Sequence, residues 1–150
     1  MASRISAVPL VALVLLALSA CSGGGDGGAI DMAVSEMCTD GADSECVSVN
    51  GESIVAPSGY EPASVERAAV AESEGTNAVD VTFDAEGAEV FHALAAEAAQ
   101  AGDTARLVMK FGEKKLVALT VKDAIDRDQM QIALSPDESA QELLDLIHGR

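Results

Sequence analysis

Val79-Asp80-Val81-Thr82-Phe83-Asp84-Ala85-Glu86-Gly87-Ala88, continued by Phe91, Leu94, Ala95 and Ala98, is the stretch on which the fold turns. Val79, Val81 and Phe83 alternate with Asp80, Thr82 and Asp84, the period of two that marks a half-buried strand. The period then changes. Ala88, Phe91, Leu94, Ala95 and Ala98 recur at helical spacing, which predicts an amphipathic helix over 85–101, capped by Asp84 and ended by Gly102. A strand that runs directly into a capped helix requires a sheet with helices laid against it.

The neighbouring segments extend this unit. Upstream, 65–71 is expected to be a strand, and Glu74-Gly75-Thr76-Asn77 a turn that makes a hairpin with 79–83. Downstream, Leu107, Met109 and Phe111 alternate with Val108 and Lys110. Gly112-Glu113-Lys114-Lys115 then turns the chain into a strand at 116–121, and a shorter strand at 130–134 follows Asp126-Arg127-Asp128. In Ser135-Pro136-Asp137-Glu138 a serine is expected at the N-cap, proline at the first helical position and glutamate three residues after the cap, a capping box. Ala140, Leu143, Leu144 and Ile147 supply the buried stripe of that helix. His148 lies where the helix dipole favours a cation. The class expected is α+β, an antiparallel sheet of short hairpins with two helices packed on one face.

Ahead of this domain the composition differs. Ile30, Met32 and Val34 alternate partially, consistent with an initial strand, and 53–56 reads as a short strand. Otherwise residues 31–63 form an acidic, loop-rich lead segment. Residues 21–63 hold eight acidic residues and neither Lys nor Arg, whereas eight of the nine cations lie from Arg67 onward. The whole chain has a formal charge of −16. Like charge opposes nucleic acid and anionic membrane surfaces as electrostatic partners. With no Trp, one Tyr and three Phe, it also offers little aromatic surface for stacking on bases.

The first 20 residues hold 15 hydrophobic residues and one charge, Arg4. The uncharged run 7–18 suits the core of a secretion signal and is short of the ~20 residues of a membrane span. Leu18-Ser19-Ala20-Cys21, a small-residue pair before cysteine at the end of that run, resembles the bacterial lipobox. The resemblance implies cleavage before Cys21 and lipid on its thiol; the alternative is an ordinary signal with an incidental cysteine. Each buried methylene contributes about 0.8 kcal/mol, so two acyl chains hold where one is marginal. The Gly-rich spacer over 21–30 (Ser22-Gly23-Gly24-Gly25-Asp26-Gly27-Gly28 within it) would reach about 15 Å from the surface.

The strand 79–83 with the helix opening Glu86-Gly87-Ala88 and Phe91, the hairpin over 107–118, and Gln131-Ile132 leading to Ser135-Pro136-Asp137-Glu138-Ser139-Ala140 together resemble the head subdomain of the first extracytoplasmic domain of SecD/SecDF, the bacterial protein-export subunit. The likeness spans 64–150. It departs in having Leu119 where the family usually has proline, and Asp126-Arg127-Asp128-Gln129-Met130 in place of a glycine-rich link. The transmembrane helices of that subunit have no counterpart, and with them goes any proton-driven motion. The resemblance implies a domain that contacts polypeptide or partner proteins outside the membrane.

With Cys21 assigned to lipid, Cys38 and Cys46 remain, an even number in an oxidising setting, separated by turn-forming residues. A disulfide is expected. A metal site is the rival, although neither a CxxC spacing nor a nearby histidine supports it. His92 and His148 adjoin no nucleophile motif. Asp123, Asp126 and Asp128 lack the spacing, glycine and terminal glutamate of a calcium loop. The expectation is therefore a lipid-anchored, non-catalytic module without cofactor, binding a protein or an exported polypeptide. A small hydrolase or metal-dependent enzyme of unfamiliar type, and a structural envelope lipoprotein, are the alternatives.

Overall fold

In the computed structural model, residues 27–39, 45–71, 75 and 77–150 are described. Cys21 and the segment before Gly27 lie outside them. Among the described residues the chain runs through β1 (Gly28–Glu36), β2 (Cys46–Val49), β3 (Glu52–Val55), β4 (Glu61–Val70), β5 (Ala78–Phe83), α1 (Ala85–Ala101), β6 (Ala105–Phe111), β7 (Lys115–Leu119), β8 (Gln129–Ala133) and α2 (Ala140–Ile147).

Six strands form one curled antiparallel sheet in the order β7-β6-β1-β4-β5-β8, and β2 and β3 form a separate hairpin. The sheet is strongly staggered. β1 pairs with β4 only over residues 28–32, and with β6 over 31–36. The second half of β4 pairs with β5, and the register shifts at Glu66, a bulge that adds bend and twist. Stagger also explains Pro62 inside β4. Its pairing to β1 is on one side, while β5 begins to pair only at Val65, so the missing N–H costs no ladder bond.

The inner face carries Ile30, Met32, Val65, Val79, Val81, Phe83, Leu107, Met109 and Phe111, and both helices close over it. Phe83 and Phe91 meet there with ring centroids 4.9 Å apart. The α+β architecture with two helices on one face is thus present, and α1 has the bounds, cap and stripe that its sequence dictates. Asp84 accepts from the Gly87 N–H at 2.8 Å, and Gly102 ends the helix at φ +99°.

The outer face is divided. Over β6, β1 and β7 it is covered by the β2–β3 hairpin, whose Val49 and Ile54 pack on Val108 and Ala118. Several ties hold that cover, three of them through side chains of the β1, β2 and β6 ends. Cys38 and Cys46 form a disulfide with Cα atoms 6.3 Å apart. The Ser35 hydroxyl donates to the Val55 carbonyl. Arg106, only 6% exposed, donates twice to the Glu52 carboxylate at 2.9 Å, and also to the carbonyls of Asp103 and Ala105.

Two expectations need correction. Residues 31–63 are not a lead segment in front of a domain that starts at 64. β1 lies in the interior of the sheet between β4 and β6, and the expected boundary falls within β4. The spacer likewise ends before Gly28, which opens β1 so close to α2 that an added Cβ would lie 1.9 Å from the Ile147 carbonyl oxygen.

The second correction concerns the last helix, which is capped by Ser139 rather than Ser135. The Ser139 side chain accepts from the Glu142 N–H. Ser135-Pro136-Asp137-Glu138 instead makes a turn in which the Glu138 N–H donates to the Ser135 carbonyl at 3.0 Å, with proline at its favoured second position. Half of the expected box survives, since the Glu138 carboxylate accepts from the Ser135 N–H at 2.9 Å. Asn77 holds the turn open, because its Nδ2 donates to the carbonyls of Ser135 and Glu138, which a continuing helix would use itself.

Candidate functional site

The two ends of the sheet are treated differently. At β7, the outward carbonyl of Ala118 lies 3.5 Å from Nδ2 of Asn50, in the turn of the covering hairpin. At β8 no such cover exists among the described residues. The Phe83 N–H donates to the Asp128 carbonyl and the Leu134 N–H to the Asn77 carbonyl, which fixes the phase of the β5–β8 ladder. Alternation then directs the N–H and C=O groups of Met130 and Ile132 toward β5, and those of Gln129, Gln131 and Ala133 away from it. Three residues of backbone thus face outward along an exposed edge.

A cleft of about 560 Å³ lies beside this edge, within the usual range of roughly 300–1,000 Å³ for ligand clefts. Phe91, Leu107, Leu119 and Met130 supply its apolar surface. The connection 120–128 bridges from β7 to β8 and forms its wall. That connection is held by His92, whose Nε2–H donates to the Arg127 carbonyl at 3.0 Å with Asp128 Oδ1 at 3.5 Å.

On the opposite side of β8 lies the open half of the outer sheet face. Arg67, Thr82 and Gln129 stand in one cross-strand row, and Ala69, Asp80 and Gln131 in the next. Gln131 donates to Asp80 at 2.7 Å. Arg67 and Arg127 border the same polar groove above β8. Among the described residues, carboxylates pair with Arg106, Lys110, Lys115 and His92, while Arg67, Lys114, Lys122, Arg127 and Arg150 are exposed and make no ion pair. In a chain of charge −16, the lining of this groove carries two arginines against one carboxylate, Asp80.

The residues singled out in sequence are scattered around this site. Cys21 is outside the described residues. Cys38 and Cys46 are joined at the far end of the hairpin. His92 braces the cleft wall, whereas His148 ends α2 with a buried Nε2 that meets no partner among the described residues. Asp123, Asp126 and Asp128 do not converge: no group of three or more His, Cys, Asp or Glu among the described residues is placed to hold a metal ion. No described helix is long and apolar enough to cross a membrane. Gln129, Gln131, Arg67 and Arg127 were invisible as a set in the sequence. Alternation places both glutamines on one face, but only the pairing of β8 with β5, and of nothing beyond, makes that strand an edge.

No family model matches the chain, and neither a curated protein nor a solved structure matches it.

Proposed function

We propose that the chain is an extracytoplasmic lipoprotein, anchored through Cys21 and a short glycine-rich tether, whose folded domain is a non-catalytic module that binds a protein or an exported polypeptide. The observation that carries the binding role is the open edge of β8 beside an apolar cleft. Main-chain groups are a generic feature of any polypeptide, so an exposed ladder edge recognises chains as a class, and a neighbouring cleft selects among their side chains. The likeness to the SecD/SecDF head supports a polypeptide as that partner. The lipobox-like Leu18-Ser19-Ala20-Cys21 supports the anchor.

Two measurements test the proposal together. Fatty-acid labelling of cells producing the full chain should give a lipidated protein, and Cys21→Ser should lose both the label and retention in the membrane fraction. Photo-crosslinking from position 129 of the full chain on intact cells should join it to a reproducible polypeptide, lost on competition with unlabelled protein. A soluble, unlabelled product would remove the anchor. The absence of any crosslinked polypeptide across growth conditions would remove the binding role.

A further inference from the structure

We infer that β8 is a docking strand: an extended polypeptide with apolar residues at alternate positions and acidic residues between them adds antiparallel to its free edge. This deepens the binding role proposed above and rests on it.

The alternation follows from the geometry of the edge. Every pairing in the sheet is antiparallel, and an added strand continues that pattern. In antiparallel addition, residues exchanging bonds with Gln129 and Gln131 share the face of those glutamines. That is the outer face, where Arg67 and Arg127 border the polar groove. The intervening residues fall on the inner face in the rows of Met130 and Ile132, so their side chains enter the cleft against Phe91, Leu107 and Leu119.

Charge selects the outer positions. Asp80 is occupied by Gln131, and Asp128 lies against His92. Lys122, Asp123 and Asp126 line the neighbouring cleft rather than the groove. Within the groove Arg67 and Arg127 stand against Asp80 alone, so a carboxylate on the outer face of the incoming strand meets two arginines that make no ion pair among the described residues. A lysine there would be repelled.

Natural sheets blunt bare edges with charge, proline or short length, because an unpaired ladder otherwise recruits strands indiscriminately. β8 is short, but it carries two glutamines and no charge of its own. Its flanking arginines therefore act as a filter that admits acidic strands.

The test uses the full lipidated chain in detergent micelles and a nine-residue peptide alternating valine and glutamate. Binding, with slowed amide exchange at Gln129, Gln131 and Ala133, is expected. Methylating the backbone nitrogens of the glutamates should weaken binding by more than about tenfold, since several hydrogen bonds are lost. Methylating those of the valines, which point away from β8, should leave it nearly unchanged. Arg127→Glu should weaken the glutamate peptide by roughly fivefold and favour a valine–lysine peptide instead. Gln131→Pro removes one outward N–H and leaves the main-chain bonds to β5, but it also gives up the side-chain bond to Asp80; it should weaken the peptide beyond Gln131→Ala, which loses the Asp80 bond alone.

Binding that tolerates methylated glutamates, or protection at β7 instead of β8, would overturn the docking strand while leaving a polypeptide-binding role in place. Failure of the peptide to bind up to about 1 mM would overturn the docking strand as well, and the crosslinking experiment would then decide the binding role separately.

Discussion

Gly87 occupies the first turn of α1, where glycine is ordinarily a poor choice and alanine would be worth about 1 kcal/mol more. Here the sign reverses. A Cβ at this position would stand 1.9 Å from the Ser64 carbonyl oxygen, a backbone atom that cannot swing aside. Gly87→Ala should therefore destabilise by about 1–3 kcal/mol, as overpacking does, and a denaturant titration that shows stabilisation would refute the close approach. Ser64 also reaches the cap of the same helix: its hydroxyl donates to Asp84. That bond, followed by the Gly87 N–H, holds the Asp84 carboxyl below its ordinary range. Lys115 lowers Glu138 and Arg106 lowers Glu52 in the same sense. A carboxyl lowered in the folded state contributes stability that is complete above its unfolded value, near 4, and is lost as pH falls through the folded value. Stability should accordingly be level from about pH 7 to 5.5 and decline below about pH 4. Asp84→Asn, which keeps an acceptable cap, should make that decline shallower; an identical acid profile in the variant would exclude Asp84 from it.

The β2–β3 hairpin is the element most dependent on its ties. Two short strands are marginal alone, and this pair adds only Val49 and Ile54 to the buried set. The disulfide closes a ring of about nine residues, a constraint worth roughly 2–3 kcal/mol through the unfolded chain. Replacing Cys38 and Cys46 by serine should thus release the hairpin first. Amide exchange at Val47 and Ile54 should accelerate well before exchange at Ile30 or Val81 does, whereas uniform acceleration would mean that the hairpin and sheet open as one unit. Legibility from sequence also differs by element. β5, α1 and the β6–β7 hairpin were readable because each is defined by a local period and its own turn or cap. β1 was only half readable: Ala33 is buried beneath the hairpin on one face while Ile30 and Met32 are buried beneath the helices on the other, so apolar residues appear on both faces and alternation is blurred. The start of α2 is ambiguous in the sequence because two serine-to-glutamate pairs follow each other, Ser135 to Glu138 and Ser139 to Glu142, and local chemistry suits both. Asn77, 58 residues away from Ser135, decides between them. The docking edge was unreadable for the same reason, being defined by which strand pairs with which.

At the scale of the whole molecule, the central position of β1 makes the acidic first third part of the fold. It is the strand that joins β6–β7 to β4–β5–β8, since neither group touches the other in the sheet order. Its residues fill the inner core with Ile30 and Met32, and its outer side meets the hairpin through Ser35. A fragment of residues 64–150 would therefore carry both helices and both downstream hairpins without the strand that unites them. It should lack a cooperative thermal transition and show collapsed amide dispersion in solution, whereas residues 27–150 should unfold in one step with the disulfide intact. A cooperatively folded 64–150 fragment would show that the boundary expected from composition is also an energetic one. The same topology accounts for the charge asymmetry. The hairpin contributed by the cation-free segment covers one half of the outer sheet face, and Glu52 in it is neutralised by Arg106 beneath. Among the described residues the other half receives no cover, and there Arg67 and Arg127 make no ion pair. Negative charge thus lies largely on surface and cover, while two of the exposed cations, Arg67 and Arg127, border the groove at the β8 edge. Salt bears on that division: raising ionic strength from about 0.05 to 0.5 M shortens the screening length severalfold. It should weaken the glutamate peptide at β8 without shifting the unfolding midpoint of the domain in parallel. A salt-insensitive affinity would mean that the arginines do not select the strand and that the cleft alone does.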